Sequence, residues 1–185
     1  MISSNDFRVG TMFEMDGQLL SIVSVQHIKL ARAGAIIKAR LRNVRTGAIF
    51  EQSFKSGEKY RAARIEKSEA TYLYHDGDLH HFMDVETYDQ VALPEDLVGD
   101  ALPFLKEGNL VHLVRYQDQV IGVELPITVD LKVAHADPGL RGDTVSGTTK
   151  PARLETGHTI QVPLFVSTGD VIKVDTRTGT YMERV

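Results

Sequence analysis

The chain has 185 residues, 42% of them hydrophobic and 25% charged, the balance of one or two soluble globular domains and not of a disordered segment. It has no cysteine, which excludes a disulfide scaffold, a thiolate nucleophile and every zinc site that needs sulfur. No run reaches the roughly 18 apolar residues of a membrane span, and MISSNDFRVG lacks a charged start followed by an apolar stretch, so the expectation is a cytoplasmic chain without signal or membrane anchor.

The formal net charge of −4 conceals an uneven distribution. Residues 1–64 hold eleven Lys and Arg against five Asp and Glu, residues 65–126 hold three against thirteen, and residues 127–185 hold seven of each. Between Asp16 and Glu51 there is no acidic residue, while Lys29, Arg32, Lys38, Arg40, Arg42 and Arg45 all fall in that window. A basic end on an acidic chain suits a molecule that meets nucleic-acid phosphates at one place and is repelled elsewhere. A solvated basic strand without a partner satisfies the same count.

Short apolar alternations separated by Gly, Asp and Asn predict an all-β chain. LLSIVSVQHIKL reads as one strand. In the next, Ile37, Ala39 and Leu41 alternate with Lys38, Arg40 and Arg42, which places an apolar row inward and a cationic row outward. The segment from Leu30 to Ala35 between them reads as a hairpin tip carrying Arg32. After FKSGEK the composition turns acidic, and TYLYHDGDLHHFMD reads as a hairpin turning at Asp76-Gly77. PEDLVGDALPFL predicts a short helix with Leu97, Ala101 and Leu105 on its apolar face. LVHLVRYQDQVIGVEL reads as a hairpin turning near Asp118, and VIKVDTRTGTYMERV as a closing one. These breaks favour three small β modules, 1–64, 65–126 and 127–185. Each is marginal alone, so the modules are expected to pack on one another.

No set of residues reads as a catalytic centre. The seven histidines are scattered, and His80 and His81 point to opposite faces of one strand, so no metal and no cofactor are expected. His135 and Asp137 resemble a base and its orienter, but no serine in a nucleophile-elbow context accompanies them. Gly142 and Gly147 have the spacing of a phosphate-binding loop, yet Thr148 stands at the lysine position. The thirteen acids of residues 65–126 make chance carboxylate pairs unavoidable. The feature that resists a bland reading is Arg32, a long cation between Ala31 and Ala33 at a hairpin tip, placed to pair with phosphate or stack on a base.

Further along, Lys150, Ala152, Gly157, Ile160, Val162, Pro163, Val166 and Gly169 keep every spacing of a family signature, and the chain resembles bacterial elongation factor P over its length. DTRTGTYMERV, DPGLRGDT, TYLYHDGD, SNDFRVG and FKSGEK fit as well. The resemblance implies three small β-barrel domains, an SH3-like (KOW-type) one followed by two OB-folds, in an L-shaped, tRNA-like arrangement. It implies a monomeric translation elongation factor that binds the 70S ribosome beside peptidyl-tRNA and relieves stalling at consecutive prolines without being an enzyme. On that likeness Arg32 is the tip residue facing the CCA end, a position that a dedicated enzyme modifies in many members. Lys29, Lys38, Arg40 and Arg42 contact the acceptor arm and ribosomal RNA, and Gly142, Asp143, Thr144, Tyr181 and Arg184 lie near the small subunit. The sequence departs from the family in flanking Arg32 with alanines where arginine members keep a glycine.

Two other classes compete. A generic single-stranded RNA-binding OB-fold protein needs an aromatic platform, for which Tyr72, Tyr74 and Phe82 are the candidates. A small β-scaffold hydrolase needs a nucleophile joined to His135.

Overall fold

The computed structural model of the chain describes residues 1–30, 34–138 and 149–185 and is all-β, with sixteen strands among them. They fall into two compact units, one formed by Met1–Glu66 with Tyr116–Ile121, the other by Lys67–Arg115 with Gly122–Val185.

In the first unit β1 (Ile2–Ser3), β2 (Met12–Met15), β3 (Gln18–Leu30), β4 (Gly34–Asn43), β5 (Ile49–Lys55) and β6 (Lys59–Ala62) form one sheet in the order β1-β6-β2-β3-β4-β5. The expected alternation holds in β4: Ile37, Ala39 and Leu41 are buried, and Lys38, Arg40 and Arg42 are exposed. The inward row joins Phe7, Phe13, Leu20, Ile22 and Phe54 in one core, where the Phe7 ring stacks on Phe13 at 4.8 Å and meets Phe54 edge-on at 5.2 Å. The ladder between β3 and β4 runs out to the Leu30 and Gly34 pair. Arg32 lies outside the described residues, as do the other two of residues 31–33, the centre of the tip expected from Leu30 to Ala35.

β7 (Ile65–Asp76), β8 (Leu79–Asp84), β9 (Gln90–Pro94), β10 (Leu110–Tyr116) and β11 (Gln119–Glu124) form a second sheet in the order β11-β10-β7-β8-β9. Both hairpins read from sequence are present, with turns one step from the reading in the first case. The pair between β7 and β8 is Gly77 and Asp78, with a positive φ of 58° at Gly77. Gln117 and Asp118 turn β10 into β11, with φ of 48° and 63°.

The predicted helix is real but tighter than its apolar spacing suggested. One α-helical turn, α1 (Glu95–Val98), gives way to a 3-10 helix over Gly99–Phe104. Within the two helical turns Val98, Ala101 and Phe104 are buried, a period of three; of the expected stripe Ala101 and Leu105 are buried and Leu97 is only half-buried. Two residues cause the change. Gly99 leaves helical dihedrals at φ 50°, ψ −120°, and Pro103 has no N–H for a longer ladder.

The third sheet has the order β14-β13-β12-β15-β16, from β12 (Thr128–Ala136), β13 (Thr149–Leu154), β14 (Thr159–Pro163), β15 (Val171–Asp175) and β16 (Thr180–Arg184). Its edges β14 and β16 approach each other, curving the sheet towards a barrel. Phe104 from the 3-10 helix belongs to its core beside Leu131, Val133, Leu154, Val162 and Ile172, and Thr156 Oγ1 donates to the Pro103 carbonyl at 2.6 Å. The third sheet and the greater part of the second thus share one compact unit, Tyr116–Ile121 of the second sheet belonging to the other.

Three turns, at residues 43–48, 84–89 and 175–180, are built to one plan. The first side chain accepts hydrogen bonds from the next turn amides: Asn43 from Arg45 and Thr46, Asp84 from Glu86 and Thr87, Asp175 from Arg177 and Thr178. The fifth amide, of Gly47, Tyr88 or Gly179, returns to the first carbonyl at 2.8, 3.0 and 2.8 Å. That fifth residue has φ of 73°, 59° and 68° respectively. These bonds hold Asp84's carboxyl below its ordinary range, the Thr87 amide contributing most. Because no side chain but hydrogen adopts such a φ without strain, Gly47→Ala is expected to lower stability by about 1 kcal/mol in urea unfolding. A variant as stable as the parent would mean that the turn relaxes out of this plan.

Candidate functional site

The outward face of β4 is a cationic row set by register. Across the sheet, Lys38 pairs with Gln26 on β3 and Ser53 on β5, Arg40 with Ser24 and Glu51, and Arg42 with Ser21 and Ile49. Successive outward side chains on a strand are about 7 Å apart, so the row presents three cations in line. Among the described residues no carboxylate comes within 4.0 Å of any of the three, Glu51 included. Elsewhere some cations are paired, Lys67 with Glu124, Lys106 with Glu155, Lys173 with Glu183, Arg177 with Asp175 and Arg184 with Asp170, while Lys132 and Arg153, like the row, have no carboxylate within 4.0 Å among the described residues; what sets the row apart is three such cations in line on one strand. A row of exposed cations on a rigid strand can bind a polyanion without first breaking an internal ion pair. The backbone of Lys29 pairs with Ala35 near the end of the same ladder.

The C-terminal candidates fall into two groups. Tyr181 is half-buried against the third core, and its ring lies 6.4 Å from that of Phe165. Arg184 stands 5.6 Å from the centre of the Phe165 ring and 3.5 Å from Asp170 Oδ2. Phe165 and Asp170 were not singled out in the sequence, where nothing marks two loop residues as neighbours of a terminal strand. Gly142, Asp143 and Thr144 lie outside the described residues.

The eight signature positions have structural tasks. Ala152, Ile160, Val162 and Val166 are buried in the third core, and Gly157 and Gly169 close turns at φ of 87° and 93°. Pro163 accepts from the Val166 amide at 3.1 Å. Lys150 is buried, with Nζ donating to the Asp137 carbonyl at 2.6 Å.

The aromatic platform of the RNA-binding alternative is not formed. Tyr72 and Phe82 are buried side chains of the second sheet; only Tyr74 is exposed, and it stacks on His81 at 4.5 Å. The Tyr72 hydroxyl instead lies 3.2 Å from Nδ1 of His80. These two residues line a cavity of about 620 Å³ with His75, Leu102, Leu105 and Lys106. His135 Nε2 lies 3.2 Å from Asp137 Oδ1, both side chains exposed. Among the described residues no group of three His, Asp or Glu is arranged to hold a metal.

Comparison with known proteins gives a consistent result along the whole chain. Models of the families described as the elongation factor P KOW-like domain, the elongation factor P OB domain and elongation factor P, C-terminal match residues 3–60, 65–123 and 129–184. The curated elongation factor P of Acetivibrio thermocellus is 48% identical over 185 residues, and that of Pelotomaculum thermopropionicum 49% over 185 residues, each covering 100% of both chains. Among solved structures, a eukaryotic translation initiation factor 5A from Methanococcus jannaschii aligns with TM-score 0.53 at 19% identity, covering 68% of this chain and 90% of that one, a likeness of fold.

Burial, and next the neighbouring His75, push the His80 imidazole below its ordinary value of 6.5, against the pull of Glu95. The unfolded chain therefore binds this proton more readily than the folded one, so stability falls as pH drops below 6.5 and is retained above it. His80→Gln, measured by urea unfolding between about pH 5 and 7, is expected to flatten that dependence. An unchanged slope would assign the acid sensitivity to other groups.

Proposed function

The chain belongs to the elongation factor P family, translation factors rather than enzymes, and we propose that it binds the ribosome beside peptidyl-tRNA and speeds peptide-bond formation at consecutive prolines. The observation that carries this reading is the row of Lys38, Arg40 and Arg42, without a carboxylate within 4.0 Å among the described residues, on the hairpin whose sequence tip is Arg32. In the proposal Lys29 and this row engage phosphates of the acceptor arm and ribosomal RNA, and Arg32 faces the CCA end. Tyr181 and Arg184, with Gly142, Asp143 and Thr144, face the small subunit. The three domains, 1–64, 65–126 and 127–185, act as a monomer in the cytoplasm.

The protein acts by positioning. Proline's ring fixes φ and restricts the poses available to both reacting ends, which makes productive alignment rare. A factor that holds peptidyl-tRNA in an attack-ready pose converts part of the binding free energy into lost freedom before reaction, lowering the barrier without donating or accepting a proton. The ribosome makes the bond. The acidic second module repels RNA in general and confines attraction to the basic hairpin.

Arg32→Ala is expected to slow a polyproline reporter in a reconstituted translation system while leaving a proline-free reporter unchanged; parent-like speed on both would sink the assignment of the tip. Replacing Lys38, Arg40 and Arg42 together by Ala removes up to three phosphate contacts and should reduce the log–log salt slope of ribosome binding by about 2. We also propose that an enzyme of the host modifies Arg32. Intact-mass analysis of the native protein, with fragmentation around residue 32, is expected to place a mass excess there, and an unmodified mass would remove that enzyme from the scheme.

A further inference from the structure

The histidines are scattered in sequence, but the hairpin of β7 and β8 brings two of them together. His75 stands directly opposite His80, one step in from the closing pair of Asp76 and Leu79. Directly opposed residues of an antiparallel ladder share a face, with their Cβ atoms about 5 Å apart. The two imidazole rings lie 6.0 Å apart, centre to centre, with planes 31° from parallel. His81, the sequence neighbour of His80, goes to the other face, where it opposes Tyr74 and stacks on that ring at 4.5 Å.

The spacing, orientation and access of the pair are those of a chelate. At a metal–nitrogen distance of about 2.1 Å, two imidazoles on one ion have ring centres about 5 to 6 Å apart, the wider value going with the wider bond angle. His80 Nδ1 lies 3.2 Å from the hydroxyl of the buried Tyr72. In the tautomer in which Nδ1 donates to that oxygen, Nε2 keeps its lone pair, and a ligating imidazole is commonly fixed by such a bond at its other nitrogen. Tyr72, His75 and His80 all line the cavity of about 620 Å³, which has room for the waters that complete a coordination sphere. The chain has no cysteine, so no thiolate competes for the ion.

We propose that His75 and His80 form a two-histidine site for a late first-row divalent cation, with Tyr72 orienting His80 and water filling the remaining positions. Imidazole nitrogens select Cu2+, Ni2+ and Zn2+ over Mg2+ and Ca2+, which take oxygen ligands. The ion ties β7 to β8 across the Gly77-Asp78 turn, a crosslink between two strands that hydrogen bonds alone otherwise join. The site lies in the second sheet and does not rest on the ribosome-binding reading.

Titration of the full, metal-free chain with copper(II) chloride tests this, read by calorimetry and by electron spin-echo spectroscopy of the bound ion. The parent is expected to hold one Cu2+ with the signature of two imidazoles, and an excess of Mg2+ should not displace it. Tyr72→Phe should weaken binding about tenfold, and His75→Gln and His80→Gln each by more, because a lost ligand costs at least as much as its lost partner. His81→Gln should bind as the parent does. His75 is exposed, so His75→Gln decides the matter even if His80→Gln loosens the fold. A spectrum of a single imidazole, a copper affinity that His75→Gln leaves unchanged, or parent-like binding in Tyr72→Phe, which would reduce the pair to an adventitious contact, would each overturn the proposal.

Discussion

The register between β3 and β4 is the constraint on which the first unit depends. In a strand, faces alternate at every residue, so a slip of one position would turn Ile37, Ala39 and Leu41 to solvent and press Lys38, Arg40 and Arg42 into the phenylalanine core. Burying Ile37 and Leu41 contributes roughly 1.5–3 kcal/mol each, and burying an unpaired cation costs at least several, so both terms select the same register. The cationic row is therefore a by-product of folding in its placement: the core fixes where every charge on β4 stands. β5 completes the arrangement by flanking the row with Ser53, Glu51 and Ile49.

The second unit solves a different problem. Two five-stranded sheets are individually small, and the segment linking β9 to β10 serves both. Val98 and Ala101 are buried as the segment leaves the second sheet, and Phe104 fills the third core, meeting His158 edge-on at 5.2 Å. A 3-10 helix suits that task. Its residues repeat every three positions, so one side of a short segment stays apolar over its whole length.

What the sequence disclosed follows from physical periods. Strands with one wet face show a two-residue alternation, so β4 was legible, and Gly and Asp at turns marked the hairpins. The helix was found, and its stripe was right at Ala101 and Leu105 but missed Val98 and Phe104 and included the half-buried Leu97, because the reading assumed an α period that Gly99 and Pro103 prevent. Tyr72, Tyr74 and Phe82 looked like one platform. The ladder between β7 and β8 shifts between Tyr72 and Tyr74, and burial separates them: Tyr72 lies inside and Tyr74 outside. An inserted residue of this kind reverses facing without leaving a compositional trace. The shared turn plan went unread, although Asn43, Asp84 and Asp175 are each followed three residues later by Thr, because two glycines and a tyrosine do not announce the same φ. The roles of Arg32, Gly142, Asp143 and Thr144 came from resemblance and lie outside the described residues.

The eight signature positions divide by structural task. Four are apolar groups of a core, two are glycines at turns, one is a proline that ends a strand, and the last is a lysine whose ammonium is spent on a main-chain carbonyl. None of them belongs to the cationic row on β4. A pattern of this kind reports on whether the C-terminal sheet can close, and a gene could drift at every cationic position of β4 while still keeping it. The signature and the cationic row thus reside in different modules of one polypeptide.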